Sequence, residues 1–368
     1  MTAETYMRRA IVLAERGAGW TSPNPMVGAV IVKDGRIIGE GWHRRYGEAH
    51  AERNALQSCT ESPVGAVLYV TLEPCCHHGK QPPCTDAILE AGIRRVAVGS
   101  GDPNPLVAGK GVELLRSHGV TVDTGVLKEE CDALNPVFFH FIQTKRPYVV
   151  IKYAMTMDGK IATCTGASRW ITGEAAREHV HQTRNRCAGI LVGVGTVLAD
   201  DPQLTCRIEG GRNPVRIICD SHLRTPEAAN VVRTAREVRT ILATNCTDEA
   251  RQRVYTQRGC EVLLVPEADG HLDLRALMKT LGAMGIDSVL LEGGAALNFS
   301  ALQSGIVQKV QAYIAPKLFG GASAKSPVGG AGIAEVAQCV RLKNPSIQWF
   351  GDDILIESEV DGTCSQES

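Results

Sequence analysis

The chain has 368 residues, a length that suggests two domains, and its 44% hydrophobic content supports sizeable cores. A net charge of −1 supplies no global basic field for nucleic acid, and no apolar run approaches the roughly 20 residues of a membrane span. Thirteen scattered cysteines, an odd number, read as reduced thiols of a cytoplasmic protein rather than a disulfide frame; Arg8 and Arg9 interrupt the N-terminal pattern where a signal peptide would need an apolar run.

Met7, Ala10, Ile11 and Ala14 fall at helical spacing, and Gly17 stops that helix. A strand is expected over 27–32, a hairpin turn at Asp34-Gly35, and a return strand over 36–41. His50 opens a helix running through Leu56, 66–72 is a buried strand leading into Glu73-Pro74-Cys75, Cys84 opens a helix over 85–91 stopped by Gly92, and 95–98 is another strand. A hairpin followed by alternating helix and strand predicts a three-layer α/β sandwich.

The chemistry of this half lies in His50-Ala51-Glu52, Pro74-Cys75 and Pro83-Cys84. One His, two Cys and a nearby Glu that is not a ligand are the set used by zinc nucleobase deaminases. Three protein ligands leave the fourth tetrahedral position for water, whose pKa zinc lowers from about 15.7 toward about 7. His50, Cys75 and Cys84 are therefore the expected ligands, and Glu52, two residues from His50, the expected proton carrier. The spacing departs from the usual P-C-x-x-C form, because eight residues separate the two cysteines and include the metal-competent Cys76, His77 and His78. Cys75 and Cys84 are preferred because each directly follows a proline, and Cys84 also opens a helix, whose N-terminus favours a thiolate. The competing readings are a structural four-ligand site using His77 or His78, and buried thiols that bind nothing.

The apolar run 138–142 gives way to Gln143-Thr144-Lys145-Arg146-Pro147, which places a boundary between domains 1–146 and 147–368. The second half predicts strands over 148–153, 189–192, 215–219, 240–243, 261–265, 288–291, 310–314 and 354–356. Helices fall between them, notably 173–186 with Thr172 as its N-cap. This pattern describes an α/β domain with a mostly parallel sheet. The last residues, 361–368, read as a frayed polar tail. Gly193-Val194-Gly195 lacks the third glycine of a dinucleotide fingerprint, whereas Glu292-Gly293-Gly294 follows an apolar strand, precedes a helix, and either receives a diphosphate or is a tight turn.

Several of these stretches together carry a resemblance. Pro74-Cys75, His77-x-Gly79 and Pro82-Pro83-Cys84, with Pro23-Asn24-Pro25-x-Val27-Gly28 and Asp102-Pro103-Asn104-Pro105, resemble the deaminase domain of the bifunctional riboflavin-biosynthesis deaminase/reductase family. Lys152, Thr156-x-Asp158-Gly159-Lys160, Ser168-x-Trp170-Ile171-Thr172, the run 195–205 and Glu292-Gly293-Gly294 are similar to its reductase domain. The resemblance implies a cytidine-deaminase-like zinc domain followed by a dihydrofolate-reductase-like domain that uses NADPH.

For the first domain the resemblance implies substrate contacts at Asn24, otherwise a turn residue, and His43, otherwise a structural histidine. Lys80 is a solvated charge or a cation for a phosphorylated substrate. For the second, the resemblance implies cofactor contacts at Ala154, Trp170, Thr196, Asp200, Ser221, Gly293 and Gly294. It implies substrate contacts at Lys152, Ser168, Arg184, Leu204, Arg207 and Glu292. Arg184 and Arg207 suit a sugar-phosphate clamp because guanidinium pairs phosphate bidentately; otherwise they are surface charges, and Trp170 a core residue. No role follows for the Asp102 to Pro105 loop, and the reader of the NADPH 2′-phosphate is unassigned.

The expected activity is hydrolytic deamination of a diamino-ribosylamino-pyrimidinone 5′-phosphate, then reduction of its ribosyl group to ribityl. The expected partner is that phosphorylated pyrimidine, with no nucleic acid and no membrane; oligomeric state is not legible, and a homo-oligomer stays open. Two rivals are a cytidine- or guanine-type zinc deaminase with a non-catalytic nucleotide-binding domain, and a non-enzymatic zinc module that binds RNA.

Overall fold

The structure, a computed structural model, describes residues 2–268 and 270–361, so most of the expected polar tail lies outside the described residues. The chain divides into two compact units, Met1–Lys145 and Arg146–Ser368.

The first unit is built on five strands, β1 (Gly28–Lys33), β2 (Arg36–Trp42), β3 (Val67–Leu72), β4 (Arg95–Ser100) and β5 (Thr121–Thr124), in the order β2-β1-β3-β4-β5. β1 runs antiparallel to both β2 and β3, while β3, β4 and β5 are parallel. The hairpin closes at Asp34-Gly35, where both residues have positive φ (49° and 75°), the turn geometry that suits strand twist.

Among the described residues six α-helices accompany this sheet: α1 (Ala3–Ala14), α2 (Ala51–Gln57), α3 (Cys84–Glu90), α4 (Lys110–Ser117), α5 (Lys128–Leu134) and α6 (Pro136–Thr144). Alternation along β1 feeds two cores. Val30 and Val32 pack with Tyr6, Met7, Ala10 and Leu13 of α1. Ala29 and Ile31 pack with Ala51, Ala55, Ile88, Val112 and Leu115 on the other face. The expected three layers result. Sequence periodicity did not reveal β5, α4, α5 or α6; α4 to α6 are nine residues or shorter, and α6 buries none of its residues.

The second unit carries β6 (Tyr148–Thr156), β7 (Gly189–Gly193), β8 (Val215–Cys219), β9 (Thr240–Thr244), β10 (Glu261–Leu264), the small hairpin β11 (Glu267–Ala268) and β12 (His271–Leu272), β13 (Ser288–Leu291), β14 (Val307–Ala315), β15 (Leu342–Phe350) and β16 (Asp353–Val360). Its nine-stranded sheet has the order β10-β9-β8-β7-β13-β6-β14-β16-β15, parallel from β10 to β14 and antiparallel from β14 to β15. The helices are α7 (Glu174–Arg186), α8 (Val194–Asp200), α9 (Asn230–Arg233), α10 (Glu249–Thr256), α11 (Leu274–Ala283) and α12 (Ala295–Gln303). β15 escaped the sequence reading because nearly all of it is exposed, and Asn344 with positive φ and Pro345 interrupt its pattern. The cap of α7 also differs from expectation. Gly173, not Thr172, is the N-cap, and its N–H is satisfied by the Asp353 carboxylate at 2.6 Å.

Helix α2 lies unusually close to β2. A Cβ on Gly39 would fall 2.5 Å from the Ala55 carbonyl oxygen, and one on Gly41 2.5 Å from that of Ala51. Gly41→Ala should therefore cost about 1–3 kcal/mol and lower the midpoint of thermal unfolding by several degrees. A melting curve that overlays the parent would show that α2 has room to move.

Candidate functional site

In the first unit, β3 delivers Glu73-Pro74-Cys75, and the Cys75 carbonyl accepts from the N–H groups of Cys84 (3.0 Å) and Thr85 (3.2 Å). The two cysteines are thus tied together across their eight-residue loop. His50 is the N-cap of α2, and Cys84 is the first residue of α3, so two helix N-termini face one point. His50 Nδ1 lies 3.5 Å from Cys75 Sγ and 3.4 Å from Cys84 Sγ, and all three donor atoms fall within 4.8 Å of one another. The Cys84 thiol, hydrogen-bonded to the other sulfur, pulls Cys75 down to about 4 against its burial, with help from His50. Cys84 is pushed up by the same bond and by burial. A proton is therefore held between two soft donors that a metal would displace. Two thiolates and an imidazole, preformed around one point, fit a tetrahedral zinc-type ion with a position to spare. Cys76 stands apart, its Sγ facing the Leu106 carbonyl at 3.9 Å.

Glu52 sits on the first turn of α2 and is buried, and that burial, reinforced by the Cys75 charge, pushes its carboxyl up. It shares a cavity of about 240 Å³ with Asn24, His43, Cys75, His77 and Lys80. His43 is buried, and burial lowers its pKa. Its Nδ1 donates to the Ala49 carbonyl (3.2 Å), so Nε2 accepts from Asn24 Nδ2 (3.3 Å). That leaves Asn24 Oδ1 without a partner among the described residues. Lys80 Nζ rests 4.0 Å from the Tyr46 ring centroid at the wall of the same cavity.

Of four further residues in this wall, Tyr46, Glu73, His77 and Asp102, sequence reasoning named His77 only as a rival metal ligand and gave Asp102 no role. Asp102 accepts from Asn104 N (2.8 Å), and burial pushes it up to about 6. Glu73 accepts from the N–H groups of Gly109 (3.0 Å) and Val112 (3.2 Å), holding the start of α4 against the cysteine turn. Glu73 adjoined a motif and was the most findable of the four.

In the second unit, the candidate residues follow the C-terminal ends of neighbouring parallel strands, where open α/β sheets bind ligands. Lys152 and Ala154 lie on β6, Thr196 and Asp200 on α8 after β7, Ser221 after β8, and Glu292, Gly293 and Gly294 after β13. Gly294 is the N-cap of α12. Arg184 of α7 meets Glu292 in a bidentate pair (Nε–Oε1 2.7 Å, Nη2–Oε2 2.9 Å), and its Nη1 donates to the Thr205 carbonyl (3.0 Å). Arg184 is thus already engaged, whereas the Arg207 guanidinium has no hydrogen-bond partner among the described residues. His181, whose Nδ1 accepts from Arg207 N (3.3 Å), is pushed down to about 4 by burial and by Arg184 and Arg207. Lys152 is lowered by burial despite Glu292. Ser168 is half-buried, and Leu204 is buried with positive φ. Trp170, far from being a core residue, is 60% exposed with the Arg177 guanidinium 4.7 Å from its ring centroid.

Comparison with known proteins covers both units. Residues 147–356 match the RibD C-terminal domain family, and residues 1–100 match the cytidine and deoxycytidylate deaminase zinc-binding region. The riboflavin biosynthesis protein RibD of Actinobacillus pleuropneumoniae is 57% identical over 357 residues, covering 97% of this chain and 95% of that one. RibD of Escherichia coli is 40% identical, covering 97% and 99%. The crystal structure of a diaminohydroxyphosphoribosylaminopyrimidine deaminase/5-amino-6-(5-phosphoribosylamino)uracil reductase from Thermotoga maritima is similar with a TM-score of 0.88 and 41% identity, covering 98% and 99%. One crystal form of Acinetobacter baumannii RibD gives 0.88 and 37% over the same shares.

Burial alone would raise the Glu292 carboxyl, but Arg184 and Lys152 outweigh it and hold it at about 2. A depressed carboxylate stabilises the fold above its unfolded pKa and loses that contribution as pH falls through the folded value. We expect about 3 kcal/mol of second-unit stability to disappear between about pH 5 and pH 2. Glu292→Gln should flatten this dependence while leaving Arg184 unpaired. Superimposable acid-unfolding curves for the two proteins, read by amide exchange in β13, would contradict it.

Proposed function

The chain belongs to the RibD family of bifunctional riboflavin-biosynthesis enzymes, deaminase and reductase in one polypeptide, and on that premise we propose which of its side chains carry each reaction. The observation that carries the proposal is the trio His50, Cys75 and Cys84 beside buried Glu52 in one cavity.

In the first reaction, 2,5-diamino-6-ribosylamino-4(3H)-pyrimidinone 5′-phosphate loses the amine at C2. His50, Cys75 and Cys84 would hold zinc, which would supply Lewis-acid activation of the attacking water. Glu52 takes a proton from the attacking water and gives it to the ring nitrogen, then takes the second proton from the hydroxyl now on C2 and gives it to the departing amine, so water enters and ammonia leaves. Burial suits it to both states, because a carboxyl with a raised pKa gives up a proton as well as it takes one. His43 keeps its neutral tautomer through Ala49 and aligns Asn24, whose Oδ1 faces a ring N–H. Lys80, resting on Tyr46, answers the phosphate at the cavity wall.

In the second reaction, the ribosyl group of the deaminated product becomes ribityl. NADPH, when bound, supplies the hydride. The backbone N–H groups at Gly293-Gly294 and the start of α12 receive its diphosphate, and Ala154, Trp170, Thr196, Asp200 and Ser221 border it. Lys152 places a proton by the opening sugar oxygen, while Glu292, locked by Arg184, fixes the sugar. Ser168 and Leu204 border the substrate, and Arg207 is the guanidinium left for its phosphate. The two activities divide at 146/147, a division supported by the family match that starts at 147 and by the compact units.

The partner in this reading is a phosphorylated pyrimidine in the cytoplasm, which accords with the free described cysteines. No helix among the described residues is long and apolar enough to cross a membrane. A homo-oligomer belongs to the same reading, supported by the outermost strand β15, which exposes Leu342, Ile347 and Trp349.

Mass spectrometry of the products tests the whole reading. Without NADPH the diamino substrate should gain about one mass unit, as amine becomes carbonyl oxygen, and with NADPH about two more. Glu52→Gln should lower deamination by about 10²- to 10⁴-fold while zinc content and reduction of the deaminated substrate persist. Turnover of free bases or nucleosides without NADPH oxidation would favour the cytidine-type rival instead. No mass change with zinc-loaded, folded protein would refute the substrate.

A further inference from the structure

Strands β6, β14 and β16 carry a row of polar side chains at one register. Lys152 of β6 stands opposite Gln311 of β14, and Gln311 opposite Glu357 of β16. In a sheet, residues paired in this way present their side chains on the same face. Glu357 Oε1 accepts from Gln311 Nε2 at 2.8 Å and pairs with Lys309 Nζ at 3.0 Å. Burial raises this carboxyl, but Gln311 and Lys309 outweigh it and keep Glu357 ionised.

An ionised carboxylate only accepts, so Gln311 must turn its amide nitrogen toward β16. Its Oε1 is then directed away from Glu357. That oxygen is buried and has no hydrogen-bond partner, and Gln311 as a whole is 6% exposed. A buried acceptor left unsatisfied costs about 1–3 kcal/mol, so its retention asks for a use. Beside it, on β6, Lys152 carries three donors and makes no hydrogen bond among the described residues. Its Nζ lies 5.6 Å from the centroid of the Tyr313 ring. Tyr313 is itself pinned by its hydroxyl to His179 Nδ1 at 2.8 Å.

We propose that Gln311 is a positioning residue of the reductase, whose Oε1 accepts a hydrogen bond from the Lys152 ammonium in the substrate complex and holds it toward the sugar. Glu357 sets which end of the amide is offered, and Tyr313 limits how far the ammonium can swing. The proposal rests on the reading of Lys152 given above. Other titratable or charged groups that face this region are Glu292 after β13, His179, His181 and Arg184 on α7, and Lys309 on β14.

The test compares Lys152→Ala, Gln311→Leu and Glu357→Gln in the zinc-loaded full chain, assayed for NADPH oxidation with the deaminated substrate. NADPH affinity and the thermal transition of the second unit report whether that unit is folded in each variant, because deamination tests only the first unit. Gln311→Leu should lower kcat for reduction by about 10- to 100-fold, with KM values within about twofold of the parent. Its alkaline limb of kcat should move to lower pH, because an ammonium that loses its acceptor gives up its proton more readily. Glu357→Gln frees the Gln311 amide to turn and should produce a smaller change in the same direction. An unchanged kcat and pH profile in Gln311→Leu, with Lys152→Ala inactive, overturns the proposal and leaves the Lys152 reading standing. Intact NADPH oxidation in Lys152→Ala overturns both. If Gln311→Leu loses NADPH affinity and the second unit's thermal transition as well, Glu357→Gln decides, and an unchanged profile there is equally fatal.

Discussion

The close seating of helix α2 on strand β2 is the constraint from which the first unit's chemistry follows. Gly39 and Gly41 offer no side chain, so the helix backbone at Ala51 and Ala55 lies directly on the strand. That depth fixes His50 at the helix N-cap and buries Glu52 in the first turn. The other two donors arrive independently. β3 brings Cys75 and α3 brings Cys84, and backbone bonds from Cys84 and Thr85 to the Cys75 carbonyl make the pair one object. The sheet thus sets one ligand and the turn sets two, and two helix N-termini supply the favourable field for the sulfurs.

The second unit solves a different problem with a buried charge network. Glu292 leaves β13 between Arg184 and Lys152, and its carboxylate is where α7 and the sheet meet. Desolvation of three charges is costly unless they answer one another. Here the guanidinium takes both oxygens of the carboxylate, which leaves Lys152 the less satisfied partner. A lysine in that position is poised to exchange a proton, whereas one locked in its own ion pair would not be.

Much of this was readable before the fold was known, and for a physical reason. His50, Glu52, Cys75 and Cys84 act through their own atoms, and their chemistry demands those residue types at local spacing. Asp34-Gly35 and the strand that ends at Leu291 were legible because turn geometry and apolar runs are local too. Other features depend on partners far along the chain. The Gly173 cap depends on Asp353, 180 residues away. β15 exists because β16 pairs with it, against its own Asn344 and Pro345. Gln311 is an ordinary strand glutamine until Glu357 and Lys152 flank it. Trp170 illustrates the reverse: the alternative to its cofactor contact was a place in the core, yet it lies at the surface with the Arg177 guanidinium over its ring.

The tie between Cys75 and Cys84 separates two duties that most metal sites merge. Because the sulfurs are registered by backbone bonds at the ends of the loop, its interior does not set their spacing. That interior carries His77, Gly79, Lys80 and Gln81, all of which line the cavity. The cost of closing a longer loop rises only slowly with its length. The segment therefore behaves as an exchangeable cassette: insertion, deletion or shuffling within it can rewrite which substrate the wall accepts without disturbing the metal's geometry. A short C-x-x-C turn, where every residue is needed to span the gap, offers no such freedom.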